Sequence, residues 1–365
     1  MKSRKALKVI IVVFAVLLFL MIVISLFLAY YLKPIGSTPG KALRAEYSEK
    51  NEYYHDDQFH NPENTSDSAP AHPVAKLEMP SKTVGAEHIS DLKRAEKGEL
   101  KLTWLGHSSS IVQLGDQNIL LDPLIVPGSG KRFSPLPDRI SEYPLDPDSL
   151  PDIDVLCISH DHHDHLDFYS IRAIDEKVKE YVVPLGVDVT LECWGVDDSK
   201  IHALDWWEDV EIGGVTYTLT HAQHYSGRFS FFLNSTLWGG IYMKDDSHSV
   251  YFTGDSGMCS TFAQIYEKFG ETDLMLADAG EDMPTWSHMY PDEAVKAAQD
   301  VHAACLVPVH CGAYVYRSIP WYQPAEDTLA EAKKQGITAA APRIGETLSF
   351  DELSGADEHW WDEYK

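Results

Sequence analysis

The sequence predicts an α/β (α+β) sandwich preceded by one N-terminal transmembrane helix, and three observations carry that expectation. Val9 to Leu32 is a run of 24 residues in which Ser25 is the one clearly polar side chain. From Gly98 onward, apolar runs of strand length alternate with stretches of helical spacing, the pattern of layered sheets and helices. Finally, Ser159 to Asp167 (SHDHHDHLD) packs four histidines and three aspartates into the end of one apolar run.

The N-terminus reads as residues 1–32, a basic stub and an anchor. At about 1.5 Å per residue the apolar run makes a helix of roughly 36 Å, enough for a bilayer core of roughly 30 Å. A cleaved signal peptide would have a shorter apolar region and a small-residue cleavage site. This run ends instead in AYYLKP, with two tyrosines at an interface position. Lys2, Arg4, Lys5 and Lys8 favour a cytoplasmic N-terminus with the rest of the chain outside, while Lys33, Lys41 and Arg44 pull the other way. Residues 33–96 carry Pro34, Pro39, Pro62, Pro70, Pro73 and Pro80 among polar residues and read as a polar tether or an arm draped over the domain.

Residues 97–350 form the predicted folded domain. LKLTWLG reads as a strand, SSIVQLGDQNILLDP as a hairpin turning at Gly115-Asp116, and DVLCIS as a buried strand. Phe168, Ile171, Ile174 and Val178 then recur at helical spacing. Further strands are expected at YVVPL, VEIGGVTYTLTHA, LWGGIYM, VYFTGDSG, LMLAD and CLVPVH. Helices are expected at TFAQIYEKFG, at PDEAVKAAQDV with Pro291 in its first turn, and at AEDTLAEAKKQG with Gly336 as the stop. Residues 351–365 (DELSGADEHWWDEYK) read as an acidic, partly loose tail.

Composition narrows the partners. At 365 residues and 44% hydrophobic, the chain can bury a sizeable core. Its 56 acids against 30 bases, a formal charge of −26, leave no basic surplus for nucleic acid. The five cysteines are odd in number and contain no C-x-x-C, so neither a disulfide framework nor a cysteine zinc site is expected.

The chemistry centres on the H-x-H-x-D-H run His160, His162, Asp164, His165. Imidazoles with carboxylates suit divalent transition metals. In a tight loop after a strand, His160 and His162 can face one way while Asp164 and His165 face another, a geometry for two ions about 3.5–4 Å apart. Asp161 and His163 are expected to bind no metal. Asp122 in ILLDP is either an acceptor that orients a ligand histidine or a turn cap. His107 in WLGHSSS either faces the site or makes a structural hydrogen bond.

Three more segments end predicted strands: THAQHYSGR with His224, YFTGDSGM with Asp255, and LVPVHCGAY with His310. Together with the H-x-H-x-D-H run they resemble the metallo-β-lactamase superfamily over about Lys101 to Phe350. That resemblance implies an αββα sandwich with a dinuclear, zinc-type metal site along one edge. It also implies that His160, His162 and His224 bind one ion, that Asp164, His165 and His310 bind the other, and that Asp255 bridges them.

Within the superfamily, WLGHSS, LLDP, SHDHHDHLD, PLGV, LDWWEDV, QHYSGR, LWGG, FTGDSG and HMYPDEAV occur in an order similar to the N-acyl-phosphatidylethanolamine-hydrolysing phospholipase D group. QFHNPENT, Gln58 to Thr65, is similar to that group too. The resemblance implies a phosphodiesterase acting on phospholipids or another small phosphodiester, in which a metal-bridging hydroxide attacks phosphorus. His288 and Arg228 are then candidates to contact the phosphate or protonate the leaving group. The blander alternatives are a loop anchor for His288 and a surface ion pair for Arg228. Met283, Trp286, Met289 and Tyr290 are expected to form an apolar lip.

The chain departs from the group at Cys311, where relatives carry Trp, in a shorter AGEDMPTWSH segment, and in its anchor. A lactonase or sugar-phosphate hydrolase of the same fold is the alternative activity. A nuclease sits poorly with the charge, and a non-catalytic metal-binding sensor would be expected to have lost one of the seven ligands.

Overall fold

The computed structural model describes residues 2–62, 78–90, 92–127, 136–229, 232–280, 286–315 and 319–365. Helix α1, Lys2–Leu32, is long and apolar enough to cross a membrane. Its large apolar side chains from Ile10 to Leu32 are exposed. A single 3-10 turn, Lys33–Ile35, joins it to the rest of the chain.

The segment expected as a tether is an arm docked on the domain. It forms helix α2, Lys41–Lys50, and a small hairpin of β1, Tyr54–His55, and β2, Gln58–Phe59. Tyr47, Tyr54 and Phe59 are buried in the main core and pack edge to face. Three aromatic rings removed from water give this polar segment a reason to stay in place.

The first sheet holds β3 (Lys101–Gly106), β4 (Ser109–Leu114), β5 (Gln117–Leu121), β6 (Ile153–Cys157), β7 (Val178–Pro184) and β8 (Ile201–Leu204). The β4–β5 hairpin turns at Gly115 and Asp116, both with positive φ, as a two-residue primed turn requires. From β5 to β8 the pairing is parallel. Parallel neighbours need crossovers, and α3 (Phe168–Ile174) and α4 (Val187–Trp194) lie in those from β6 to β7 and from β7 to β8. Helix α3 stops earlier than its apolar spacing suggested, because Val178 opens β7 instead of closing a helical turn.

The second sheet holds β9 (Asp209–Ile212), β10 (Val215–Thr220), β11 (Gly240–Lys244), β12 (Ser249–Phe252), β13 (Thr272–Asp278) and β14 (Ala303–Val309), in that spatial order. Helices α5 (Thr261–Phe269) and α6 (Pro291–Val301) connect its parallel strands, and α7 (Gln323–Gln335) follows β14. Strand β15 (Thr347–Ser349) returns to the first sheet beside β3 and leads into α8 (Phe350–Leu353).

Strand alternation sorts the core. Ile119, Leu121, Val155, Cys157 and Val182 face the second sheet, where Tyr217, Leu219, Ile241 and Met243 meet them. Leu120, Leu156, Tyr181 and Val183 face α3 and α4 on the other side. Period-two alternation on β5, β6 and β7 thus feeds two apolar layers and yields the αββα sandwich. The acidic tail is ordered, contrary to expectation: Trp360, Trp361 and Tyr364 are buried, and a 3-10 stretch Trp360–Tyr364 closes the chain.

Candidate metal centre

The parallel strands end on one edge, and their outgoing loops carry the functional side chains. The loop after β6 turns tightly, with the amides of His165 and Leu166 both donating to the carbonyl of His162. Asp167 closes it by accepting the Ser170 amide at the start of α3. His224 follows β10, Asp255 follows β12 and His310 follows β14. Gly254 precedes Asp255 with φ of 58°, and a Cβ there would meet Ser159 Cβ at 2.6 Å, so the two loops approach only because no side chain intervenes.

The seven predicted ligands converge. His160, His162, His224 and Asp255 form one group, and Asp164, His165, His310 and His107 form another, with the ligand-type atoms of each within 4.8 Å of one another. Asp255 Oδ2 lies 3.7 Å and 3.8 Å from Nε2 of His160 and His224. It lies 3.1 Å and 3.3 Å from Nε2 of His165 and His310. One carboxylate oxygen therefore sits between the two groups.

Hydrogen bonds fix the ring orientations. Asp122 ends β5 with φ of 38°, and its Oδ2 accepts His165 Nδ1–H at 2.7 Å and the Ser159 hydroxyl at 2.5 Å. Ser159 Oγ in turn accepts His160 Nδ1–H at 2.9 Å. His224 Nδ1–H donates to the carbonyl of Ser287 at 2.8 Å. Each of these three rings thereby turns Nε2 toward Asp255. Asp122 thus makes the contacts expected of an orienting acceptor, and also accepts the Ser159 amide. His107 donates Nε2–H to Asp164 Oδ2 at 3.2 Å, and its own carbonyl accepts the His310 amide and Trp104 Nε1–H.

The electrostatics suit a cation. Burial, then the neighbouring rings, pushes His160 far below the ordinary imidazole range, and burial does the same to His224 and, to a lesser extent, His162. Burial would raise Asp164 and Asp255, but the surrounding imidazoles, His165 foremost, outweigh it and hold both carboxyls well below the usual range. Burial also lowers His107, to about 4. Nε2 of His165 and Oδ1 of Asp255 are buried without a hydrogen bond from the protein. Burial would lower His165 and His310 too, but the neighbouring carboxylates, Asp255 foremost, outweigh it and hold both rings well above the ordinary imidazole range. Imidazoles and ionised carboxylates with polar atoms left facing one another form a donor set that fits divalent ions of the zinc type.

The remaining candidates divide. His288 belongs with the centre: its Nδ1 is 3.9 Å from Asp255 Oδ2, and Nδ1–H donates to Asp278 Oδ2 at 2.7 Å. Burial lowers its pKa, but Asp278 outweighs this and leaves it raised. Asp278, fully buried at the end of β13, also accepts the amides of Ser256 and Gly280. Sequence reasoning missed it, although an aspartate ending the apolar run LMLA was a usable signal. Asn61 was missed as well: its Nδ2 donates to the His224 carbonyl at 2.7 Å and its Oδ1 lies 3.3 Å from His221 Nε2.

Arg228 is a correction. Its guanidinium is buried and donates to the carbonyls of Pro34, Ile35, Asp161 and Leu166, so it braces the metal loop and is neither a phosphate contact nor a surface ion pair. Asp161 accepts the Gly227 amide, and His163 meets the Arg228 carbonyl. Of the expected lip, Met289 and Tyr290 are buried, because they lead into the apolar face of α6. Trp286 is half-buried beside Tyr225, whose ring stacks edge-on against His162. Met283, like residues 63–65 of the QFHNPENT stretch, lies outside the described residues. His162, Asp164 and His288 are the partly exposed members of the cluster and form its solvent side.

Fold and site together define a metallo-β-lactamase-fold hydrolase, with histidine and aspartate clusters at the loop edge of an αββα sandwich. Residues 117–311 match the family model described as Beta-lactamase superfamily domain, and the chain belongs to that family of metal-dependent hydrolases. It is 35% identical over 268 residues to the uncharacterized protein Rv0906 of Mycobacterium tuberculosis, covering 71% of each chain. It is 32% identical over 244 residues to N-acyl-phosphatidylethanolamine-hydrolyzing phospholipase D 1 of Caenorhabditis elegans, covering 63% of this chain and 68% of that one. Among solved structures, the metallo hydrolase Igni18 of Ignicoccus hospitalis matches with a TM-score of 0.53 at 19% identity, covering 69% of this chain and 98% of that chain.

Proposed function

We propose that this chain is a membrane-anchored phosphodiesterase that holds two divalent ions, zinc in type, and hydrolyses phospholipids. The observation that carries the reading is Asp255 Oδ2, within 3.1–3.8 Å of four imidazole nitrogens drawn from both ligand groups. His160, His162 and His224 would hold one ion and Asp164, His165 and His310 the other, with Asp255 placed between the two groups. His107 stays outside the coordination, because its Nε2–H is committed to Asp164. Two ions bound there would supply Lewis acidity and lower the pKa of a water toward about 7.

The chain's own residues complete the reaction. The oxygen of water bonds to phosphorus as the water gives up a proton, the bond to the leaving alkoxide breaks, and that alkoxide takes up a proton. His288 is suited to give it: Nδ1–H is committed to Asp278, which leaves Nε2 for the substrate at the partly exposed rim. Phospholipid is favoured over lactone by similarity to a relative whose name specifies N-acyl-phosphatidylethanolamine, and by the apolar helix α1, which would keep the site beside lipid. The basic residues before α1 favour a cytoplasmic N-terminus and a domain outside the cytoplasm.

The test is a substrate panel on the full-length chain in detergent, with metal content measured on the same sample. N-acyl-phosphatidylethanolamine and a short phosphodiester should be cleaved, with about two ions per chain. Lactone hydrolysis without phosphodiester hydrolysis would replace this reading by the lactonase one. Protease added to intact cells should reach the domain, and protection until lysis would reverse the topology.

A further inference from the structure

The junction between α1 and the domain is braced rather than loose. Trp194 Nε1–H donates to the carbonyl of Lys33 at 2.8 Å, and Arg228 donates to those of Pro34 and Ile35 at 3.0 and 2.8 Å. Ser37 and Thr190 exchange two further hydrogen bonds. Gly36, with φ of 84°, packs so closely on Thr190 that a Cβ would sit 2.6 Å from its Cγ2. The same guanidinium that grips Pro34 and Ile35 also grips the carbonyls of Asp161 and Leu166 in the metal loop. A helix ending at Leu32 therefore has a fixed relation to the metal centre.

Beside this junction lies a cleft of about 200 Å³ lined by Ile35 to Thr38, Asp161, Arg228, Phe229 and Phe232. Phe232 and the adjoining Leu233 are 42% and 43% exposed. Outside α1, the only other large apolar side chains this exposed among the described residues are Met79 and Tyr266. The base of the Phe232 loop is closed by the Asn234 amide on the Ser226 carbonyl and by the Phe59 amide on the Asn234 carbonyl. These bonds tie down the backbone next to Leu233.

We propose that the edge carrying Phe232 and Leu233 is a second membrane contact, in which these side chains enter the lipid beside α1 and hold the metal loop against the bilayer surface. The proposal rests on α1 being a membrane helix. The partner is a lipid surface because of continuity with that helix. One 3-10 turn of three residues advances about 6 Å, and each interfacial layer of a bilayer is roughly 5–8 Å thick. Ile35 therefore lies within the interface that begins near Tyr31 and Leu32, and a loop sharing a cleft with Ile35 lies there too. Exposed Phe and Leu at that depth replace water by acyl chain, the direction favoured for apolar surface.

The test uses the full-length chain in phosphatidylcholine nanodiscs, with the exposed Cys193 changed to Ser and one nitroxide label at a time. Labels go at Leu20→Cys in α1, at Phe232→Cys, and at Tyr266→Cys as the aqueous reference. The expected result is an oxygen-to-nickel-chelate accessibility ratio several-fold higher at positions 20 and 232 than at 266. A high ratio at 20 with an aqueous ratio at 232 overturns this inference and leaves the anchor standing. An aqueous ratio at 20 overturns the anchor itself, and the inference with it. All three variants alter exposed side chains, and each is first checked for unchanged metal content.

Discussion

Asp122 and His165 form a fully buried pair in which the ring donates Nδ1–H to the carboxylate at 2.7 Å, and the same carboxylate oxygen reaches His160 through the Ser159 hydroxyl. One carboxylate thus orients a ring from each of the two groups, directly for His165 and through Ser159 for His160. Asp122→Ala should therefore lower occupancy of both sites, with metal affinity falling about 10–100-fold, the usual range for loss of such a partner. Competition against a chelator, read by elemental analysis, measures it. Loss confined to one ion would mean that the Ser159 relay does not orient His160. Asp164→Ala serves as the one-site reference, and Asp255→Ala as the change that should disturb both ions directly.

Asp154 on β6 ties together three segments: it accepts from Arg94 in the arm, from Lys179 on β7, and from the Asn118 amide on β5. Burial would raise its pKa, but the hydrogen bond from Arg94 and the other partners outweigh this and leave it below the ordinary 3.8. A depressed carboxyl contributes stability that is full above the unfolded value and is lost as pH falls through the folded one. Asp154→Asn should cost about 1 kcal/mol at neutral pH, a figure kept small because Arg94 and Lys179 are 40% and 55% exposed. The difference from wild type should shrink below about pH 4. Urea melts of metal-stripped protein, at neutral and acid pH, test both the size and the sign. A constant difference at all pH values would assign the effect to shape rather than charge.

What was legible in the sequence was what is local. The H-x-H-x-D-H run brings three histidines and an aspartate together within one loop, and the resemblance to the metallo-β-lactamase superfamily pointed to the strand-end segments that would meet it. Asp278 could be placed at the end of its strand but not paired with His288, and Asn61 left no signal, because each acts through contacts made only when separate segments meet. Arg228 was misread for the same reason: nothing in QHYSGR says that four carbonyls, two of them just past α1, would occupy its guanidinium. The arm hid its helix because only Leu43 and Tyr47 mark an inner face of α2. The tail hid its aromatics behind acidic neighbours.

That tail offers a direct check. Trp361 is fully buried, and its Nε1–H donates to Glu326 Oε2 at 2.9 Å. Trp361→Ala should cost about 3–5 kcal/mol, as for other large aromatic side chains removed from cores. Urea denaturation of the full-length chain in detergent measures this. A loss under about 1 kcal/mol, the range of surface substitutions, would return the tail to the solvent.

The last prediction separates proton donation from structural support at His288. If this ring protonates the leaving alkoxide, His288→Gln should lower kcat by about 10²–10⁴ on an ordinary phosphodiester, the span typical of general acid catalysis. The same variant should be nearly unaffected on a substrate that releases p-nitrophenolate, which departs without a proton. Metal content should not change, since Nδ1 of His288 is directed at Asp278 and lies 3.9 Å from Asp255 Oδ2. Asp278→Asn should reproduce the same leaving-group dependence more weakly, because the ring remains but its Nδ1–H loses a charged acceptor. Equal losses on both substrates would instead make His288 a contact for the phosphate oxygens, and loss of metal in either variant would make the pair a support for Asp255 and His310.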